Sequence, residues 1–326
     1  TPATTLEVIT SWGSGFWNLL SFAMQMLLVL VTGYMLASTS LISMLLTKLA
    51  TLANTAPKAI ILVTFISLLA SWLNWGFGLV IGALFAKAIA NQTRVDYRLL
   101  VASAYSGFVV WHGGLAGSVP LTIATEGHFS QATMGIIGTQ QTLFAGFNIA
   151  ILIGLFIIMP LVNRYMLPSE KDSVYVDPSL LENTPPDKVT ITRPAQHLEQ
   201  SKLLGMGIGL IGLAYLGYYF FIAGGGLNLN SVIALFLFMA ITLHQTPHNV
   251  LNSLQQAIPS GAGIVIQFPF YAGIMAVMVD TGLAQQISQG FIAIADADSL
   301  PFYSFISAGL VNMFVPSGGG QWAVQA

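Results

Sequence analysis

The stretch AIILVTFISLLASWLNWGFGLVIGALFAKAIA, residues 59–90, decides the fold of this chain. As one straight helix it would be about 48 Å long, whereas the hydrocarbon core of a bilayer is about 30 Å thick. In its middle, Asn74 is followed closely by Gly76 and Gly78, and glycines beside an asparagine are typical of a turn. We predict that 59–90 forms a re-entrant hairpin, two half-helices that enter and leave a membrane on the same side.

The composition of the whole chain also indicates a membrane protein. Charged residues make up 7% of the 326 residues and hydrophobic residues 55%, whereas soluble domains carry about 25% charged residues. Uncharged runs at 13–47 and 203–279 each exceed the roughly 20 residues that span a bilayer as a helix. The chain has no cysteine, and its ten Lys and Arg residues form no cluster. These facts exclude disulfides and give no indication of nucleic-acid binding.

The chain divides into apolar segments separated by short polar stretches. The apolar segments lie at about 14–38, 59–90, 98–122, 142–166, 203–223, 229–246, 261–281 and 301–326. Short interfacial helices are predicted at 41–53 and 248–257. The polar stretch 168–202, which contains Pro185-Pro186, is predicted to be a solvated loop. We therefore predict an all-α polytopic membrane protein in two halves.

The positions of the basic residues fix the predicted orientation. If 59–90 turns back on itself, all ten Lys and Arg residues lie on one face of the membrane. The positive-inside rule makes that face, and the loop 168–202, cytoplasmic. Counting the crossings onward, 261–326 repeats the order of 14–90 in the opposite orientation.

Short similarities support an inverted repeat. Residues 64–67, TFIS, resemble residues 304–307, SFIS, and Asn74 and Asn312 each precede a glycine-rich break. We predict two inverted repeats, 1–167 and 203–326, each with a re-entrant hairpin and a broken transmembrane helix, an arrangement typical of secondary transporters. The first repeat has its hairpin at 59–90 and its broken helix at 98–122. The second has a hairpin that begins at about 301, and its C-terminal part is expected to be truncated.

Three helix breaks are candidates for a binding site. They lie at Asn74–Gly78, at 111–118 (WHGGLAGS) and at 316–321 (PSGGGQ). Interrupted backbone at membrane depth is tolerated where it lines a protein-enclosed or aqueous cavity; the alternative is that each glycine serves packing or a kink. No Arg, Lys, Asp or Glu lies near any break. A dicarboxylate would need an arginine clamp, so a small monocarboxylate or a neutral solute fits better.

The predicted site combines backbone amides, uncharged side chains and tryptophan rings. The substrate-binding candidates are Ser317, Gly318, Gly319, Gly320, Gln321, Trp322, Trp75, Gly76, Gly78, Trp111, His112, Gly113, Gly114 and Ser118. Ser317 and the glycine amides are expected to hold a carboxylate, and the tryptophans to bound its alkyl chain. The candidates for the surroundings of a coupling ion, Na⁺ or H⁺, are Asn74, Asn312 and Ser71. No other metal and no organic cofactor is expected.

Other patterns have simpler interpretations. Gly205 and Gly209 fit helix packing better than a dinucleotide loop, because no strand precedes them. His244 and His248 fit an interfacial helix end better than a metal site. For His112, a proton relay and a hydrogen-bonded structural role are both open. No catalytic triad, carboxylate pair or phosphate loop is present in the sequence, so we expect no enzymatic activity.

With these motifs in view, the chain resembles the bacterial short-chain fatty acid transporter family. The matching stretches are GSGFWNLLSFAMQMLLVLVTG (13–33), NWGFGLVIGALFA (74–86), LFAGFNI (143–149), QFPFYAGI (267–274) and VPSGGGQW (315–322). The resemblance implies uptake of monocarboxylates such as acetoacetate or butyrate across a bacterial inner membrane. It also implies the two inverted repeats of the wider ion-transporter superfamily.

The resemblance leaves several points open. Family members continue beyond residue 326, so the partner of the broken helix 98–122 is expected to lie outside this sequence. His112 departs from the glycine-rich pattern that the family predicts there. Symport with Na⁺ or H⁺ is the first hypothesis, and a passive channel for small solutes is the alternative. A membrane-bound enzyme is disfavoured because the breaks offer no charged catalytic group, and homo-oligomerisation stays open.

Overall fold

A computed structural model describes residues 4–181, 193–313 and 318–325. Within these ranges every regular element is a helix, and no strand occurs. The α-helices are α1 Thr5–Gly15, α2 Leu20–Ala37, α3 Ser40–Ala50, α4 Ala56–Leu73, α5 Trp75–Ala90, α6 Tyr97–Ser106, α7 Ser118–Ile123, α8 Gln131–Met134, α9 Gly146–Tyr165, α10 Pro194–Glu199, α11 Lys202–Phe221, α12 Leu229–His244, α13 Pro247–Ala257, α14 Ala262–Asp280, α15 Leu283–Ile294, α16 Leu300–Asn312 and α17 Gly318–Gln325. Short 3₁₀ helices cover Gly107–Gly113, Thr139–Gln141, Pro178–Leu181 and Ile258–Gly261.

The all-helical prediction is confirmed, and several helices have membrane length. Six helical stretches of the described chain are long and apolar enough to cross a bilayer: Leu20–Ala37, Ala56–Leu73, Tyr97–Ile123, Gly146–Tyr165, Lys202–Phe221 and Pro247–Asp280. The chain therefore has the character of a multi-pass membrane protein. The predicted short helices at 41–53 and 248–257 correspond to α3 and α13.

The residues form two compact units. The smaller contains Thr1–Leu27, Thr125–Ile137 and Gly261–Ala326, and the larger contains Leu28–Ala124 and Gly138–Ser260. These units are defined by contacts in space, and their boundaries differ from those of the predicted repeats. The predicted repeats 1–167 and 203–326, their inverted relation and the loop 168–202 between them stay predictions.

The larger unit is built around a helical hairpin. The helices α4 and α5 are separated by Asn74 alone, and they pack against each other on both sides of it. A Cβ atom on Gly78 would overlap Ser71, and one on Gly82 would lie 3.1 Å from the Ser67 Oγ. Because these pairs lie at similar distances before and after Asn74, the chain reverses there. The predicted helix break at this position is confirmed, and its re-entrant placement in a membrane stays a prediction.

Small residues let neighbouring helices approach the hairpin closely. A Cβ atom on Gly76 would lie 2.6 Å from the Leu30 Cα, and one on Gly33 would overlap the Phe77 nitrogen. The helix α2 therefore crosses the start of α5 at a glycine pair. Such contacts between small residues are how helices associate in a membrane.

The long helices α9 and α11 are also joined to their neighbours, α9 by hydrogen bonds and α11 by glycine contacts. Asn163 of α9 donates from Nδ2 to the Thr64 Oγ1 (3.0 Å) and to the Ser106 Oγ (2.7 Å), which ties α9 to α4 and α6. Gly209 of α11 abuts Thr242 of α12, and Gly205 abuts Gln245 just after α12, so closely that a Cβ atom on either glycine would overlap its neighbour. Helix packing accounts for these glycines, as the sequence predicts.

Part of the polar stretch 168–202 is hydrogen-bonded to the start of α6. Asp96 caps α6 by accepting from the Leu99 nitrogen (2.8 Å), and it also accepts from the Val174 nitrogen (2.7 Å) and pairs with Arg98 (3.0 Å). The Tyr97 nitrogen donates to the Val174 carbonyl at 2.8 Å. Burial acts to raise the pKa of the Asp96 carboxyl, but these hydrogen bonds and the Arg98 charge hold it below its ordinary value. Pro185-Pro186 lies outside the described residues.

In the smaller unit, α1 and α17 pack on α14. Gly15 of α1 abuts Ala276 so closely that a Cβ atom would overlap it, and Gly273 of α14 would meet the Trp12 ring in the same way. The loop after α7 contributes Phe129, whose ring lies 5.8 Å from Phe22 and 5.3 Å from Trp322 of α17. This unit is therefore held by an aromatic cluster.

Candidate substrate site

The first helix break centres on a fully buried asparagine. Asn74 is 0% exposed and has an extended backbone, with φ −158° and ψ 127°. Its Oδ1 accepts from the Phe77 nitrogen at 3.0 Å and so caps α5. Because that nitrogen needs an acceptor, the amide orientation is fixed and Nδ2 points away from the helix. Nδ2 has no hydrogen-bond partner among the described residues.

A cluster of aromatic rings lies beside this asparagine. The ring of Trp75 lies 5.9 Å from Trp111 and 6.5 Å from Phe108. Phe108 and Trp111 stack at 5.4 Å with an 11° interplanar angle. They belong to the 3₁₀ helix Gly107–Gly113, in which residues three apart lie above each other. The stack is therefore a direct result of the local change from α to 3₁₀ geometry.

The indole of Trp75 adds a second unpartnered donor. Its Nε1 is buried and has no hydrogen-bond partner among the described residues. Buried indole N–H groups normally find a partner. Asn74 and Trp75 are adjacent, so two uncharged N–H donors are left free at one end of the hairpin.

The helical path after α6 is interrupted, and the interruption touches the hairpin. The chain becomes extended at Gly114, with ψ 172°, before α7 begins at Ser118. The Leu115 nitrogen donates to the carbonyl of Trp72, in the last turn of α4, at 2.6 Å. A Cβ atom on Gly114 would overlap this carbonyl. The second break is thus fixed directly against the end of the first half-helix.

The remaining residues predicted at this break have distinct surroundings. The Asn148 Nδ2 donates to the Gly113 carbonyl at 3.1 Å and to the Leu143 carbonyl at 2.7 Å. His112 is exposed, and its ring lies 3.6 Å from the Trp111 ring. The Ser118 Oγ is buried and has no partner among the described residues. Ser118 therefore offers a third free polar group near the breaks.

The glycines of the first break serve packing. Gly76 faces Leu30 of α2, and Gly78 faces Ser71 of α4. Ser71 is itself 2% exposed. The Cα faces of both glycines are thus occupied by neighbouring helices, and the side chains of Asn74 and Trp75 carry the free donors.

The break between α16 and α17 is described only in part. Ser317 lies outside the described residues, and Gly318, Gly319 and Gly320 form the first turn of α17. The Asn312 Nδ2 donates to the Gln321 Oε1 at 2.8 Å, and the Gln321 Nε2 donates to the Ala308 carbonyl at 2.8 Å. Gln321 therefore links the two helices.

Trp322 follows in the aromatic cluster of the smaller unit. Its ring lies 5.3 Å from Phe129 and 6.5 Å from His128. The His128 Nε2 donates to the Gly135 carbonyl at 3.0 Å, because a carbonyl oxygen can only accept. The loop that carries His128 is thereby held beside α17.

Several residues that contact the predicted site residues were not identified from the sequence. Phe108, Phe129 and Asn148 all contact predicted site residues. The aromatic residues stand out little in so apolar a chain, but an asparagine within a membrane-length helix is costly and is a signal in its own right. That signal identifies both Asn148 and Asn163 on α9.

Charge is absent from the contacts of the first break. The one salt bridge among the described residues is Arg98–Asp96, at the start of α6. No group of three or more His, Asp or Glu side chains in the described chain is placed to hold a metal ion. The site therefore offers uncharged hydrogen-bond donors and aromatic surface.

Membrane-length helices that are interrupted at uncharged polar positions have the architecture of a membrane transporter. The comparison with protein families identifies the transporter. All of residues 1–326 match the model described as short chain fatty acid transporter, and the chain belongs to that family.

Two curated relatives carry the provisional name of short-chain fatty acid transporter. The chain is 43% identical to the protein of Escherichia coli (strain K12) over 329 residues, and 40% identical to that of Haemophilus influenzae over 336 residues. Each alignment covers 100% of this chain and 75% of the relative. No solved structure matches the chain.

Proposed function

We propose that the protein is a secondary active transporter that takes up short-chain monocarboxylates, such as acetoacetate and butyrate, across a bacterial inner membrane. The observation that carries this proposal is the free Nδ2 of Asn74, which is fully buried at the start of a half-helix. Membership of the short-chain fatty acid transporter family supports the substrate class.

In this proposal the carboxylate is bound by uncharged donors. The free atoms of Asn74 and Trp75 are both N–H groups, and N–H groups pair with anions rather than with cations. We therefore assign Asn74 to the substrate carboxylate and not to the coupling ion. A hydrogen bond to a charged acceptor is worth about 1.5–3 kcal/mol net, so two donors suffice for a transported solute that must also be released.

The alkyl chain of the substrate would lie against aromatic surface. The rings of Phe108 and Trp111 stack beside Trp75, and each buried methylene contributes about 0.8 kcal/mol. An alkyl chain of two to four carbons therefore gains a modest amount of binding free energy from this contact. Ser317 and the amides of Gly318–Gly320 stay predicted ligands of the second break.

Accumulation against a gradient tests the proposal. Purified protein in proteoliposomes is given an imposed Na⁺ gradient or pH gradient, and labelled butyrate is measured inside. Because butyric acid crosses lipid on its own and follows a pH gradient, protein-free liposomes are the control. We expect protein-dependent accumulation above the external concentration, which an ionophore abolishes. Entry that stops at the external concentration would indicate a passive channel instead.

A further inference from the structure

A seam of small residues joins α4, α5 and α6. It consists of three pairs spaced four residues apart: Ser67 and Ser71 on α4, Gly78 and Gly82 on α5, and Ser103 on α6 with Gly107 at the start of the 3₁₀ helix that follows. Residues four apart lie on the same face of a helix. The contacts interlock, because Gly78 abuts Ser71 while Gly82 and Gly107 both abut Ser67. We call this set the serine seam.

Two hydroxyls of the serine seam lack partners although they are completely buried. Ser67 and Ser103 are each 0% exposed, and the Oγ of each has no hydrogen-bond partner among the described residues. Most buried polar groups are hydrogen-bonded. The nearby hydroxyls of Thr64 and Ser106 follow that rule, since both accept from Asn163. The unpartnered pair therefore indicates a ligand.

Two oxygen atoms lie close to Gly82 of the seam. The position of a Cβ on Gly82 is 3.1 Å from the Ser67 Oγ and 3.1 Å from the Ala104 carbonyl oxygen, so both oxygens face the same point of α5. A cavity of about 220 Å³ has Ala104 in its wall, together with Ser71 and Gly78 of the seam and several apolar side chains. Hydroxyl and carbonyl oxygens suit hard cations, and this volume also admits several waters.

We propose that the serine seam binds the Na⁺ that drives substrate uptake. The proposed protein ligands are the Oγ atoms of Ser67 and Ser103 and the carbonyl oxygen of Ala104, and both Ala104 and Ser71 line the neighbouring cavity. This inference rests on the proposed function and names its coupling ion. None of these groups titrates near neutral pH, so the seam takes a metal cation and not a proton.

The seam and the first break form complementary sites. Asn74 lies seven positions after Ser67, which corresponds to about 10 Å along the axis of α4. Neither site contains a fixed charge, so a bound Na⁺ and a bound carboxylate each provide the missing charge of the other. At an effective dielectric constant of about 20, opposite charges at this distance tighten each other's binding roughly tenfold. The effect is reciprocal by linkage.

Binding to the purified protein in lipid nanodiscs tests the inference. Affinity for labelled butyrate is measured in NaCl and in choline chloride at equal ionic strength, and ²²Na⁺ binding is measured with and without butyrate. We expect saturable ²²Na⁺ binding and roughly tenfold tighter butyrate binding in NaCl. Absence of ²²Na⁺ binding to the wild-type protein would overturn the inference, whatever the variants do.

Substitutions locate the cation. Ser67→Ala and Ser103→Ala are expected to abolish the effect of Na⁺ while butyrate affinity in choline chloride stays within twofold. Ser67→Cys keeps the shape of the side chain and replaces the oxygen with a larger sulfur, which is a poor ligand for a hard cation, and it is expected to behave in the same way. Ser43→Ala, at an exposed position of α3, is the control. A full Na⁺ effect in Ser67→Ala and Ser103→Ala would place the cation elsewhere, whereas loss of butyrate binding in both salts of the wild type would contradict the proposed function itself.

Discussion

The two helix breaks that the sequence pairs, at Asn74 and after Asn312, are built differently. Asn74 is fully buried and stands alone between α4 and α5, where it caps the second helix. Asn312 is exposed at the end of α16, and its side-chain donor is taken by Gln321. The first break leaves a buried donor free, whereas the second uses its donors to join its own helices. Although the sequences at the two breaks are similar, their different hydrogen bonding favours different roles in the proposed binding.

The largest expected difference between the breaks concerns the two asparagines. Asn74→Asp keeps the acceptor that caps α5, because Asp and Asn are equally good N-caps. It replaces the free donor with a negative charge, which costs at least one hydrogen bond to a charged group, about 1.5–3 kcal/mol. We expect butyrate uptake into proteoliposomes to fall roughly 10- to 150-fold.

Asn312→Asp is the matched variant. It removes an exposed hydrogen bond to Gln321 worth about 0.5–1.5 kcal/mol, so uptake is expected to fall by roughly tenfold at most. Equal losses in the two variants would contradict the distinction between the breaks.

Glycine substitutions compare the packing of the two regions. A Cβ atom on Gly78 would overlap Ser71, whereas nothing lies within 4 Å of a Cβ on Gly309 of α16. We expect Gly78→Ala to destabilise the protein by about 1–3 kcal/mol through overpacking. Gly309→Ala is expected to be neutral or slightly stabilising, since alanine favours helix. Thermal unfolding of the detergent-solubilised protein measures both, and equal melting temperatures would refute the close packing of the hairpin.

The tryptophans provide a smaller contrast. Trp75→Phe keeps an aromatic ring and removes the unpartnered Nε1 donor. We expect the KM for butyrate to rise roughly two- to tenfold, from a hydrogen bond worth about 0.5–1.5 kcal/mol. Trp322→Phe retains the ring contact with Phe129 and is expected to change KM less. A larger rise in KM for Trp322→Phe would indicate that the indole donor to the substrate is at the second break rather than at the first.

The smallest effect is expected at the base of the broken helix, at Asp96. Its folded pKa is depressed, so its charge stabilises the protein above the unfolded pKa of about 3.9 and loses that contribution as pH falls through the folded pKa. Asp96→Asn keeps the cap but removes the charge, and we expect it to lower stability by about 0.5–1 kcal/mol at pH 7. The melting temperatures of the two proteins should converge as the pH falls through the folded pKa of Asp96, which lies below the ordinary value. A gap that stays constant with pH would show that the charge contributes nothing.

Much of the fold near the first break is readable from the sequence because its causes are local. The first helix is interrupted at Asn74, and the next one is interrupted at the glycine-rich stretch 113–117. The six membrane-length helices follow from uncharged runs. These features depend on residues within a few positions of one another.

The details of the site depend on contacts between distant residues. The sequence does not show that Trp72 accepts from Leu115, or that Val174 docks on Asp96. It also does not show which atom of Asn74 the helix cap uses, and the proposed assignment of Asn74 to an anion depends on that orientation. The unpartnered hydroxyls of Ser67 and Ser103 likewise become visible only when three helices are in place.

The most direct test of the account is the position of a bound substrate. We suggest a crystal structure of the protein with 4-bromobutyrate, in which anomalous scattering locates the bromine. The account predicts a carboxylate oxygen within about 3.2 Å of the Asn74 Nδ2, with the bromine against the rings of Trp75 and Trp111. A bromine found only in the apolar groove formed by Leu69, Phe144 and Phe156, with no carboxylate at Asn74, would contradict it.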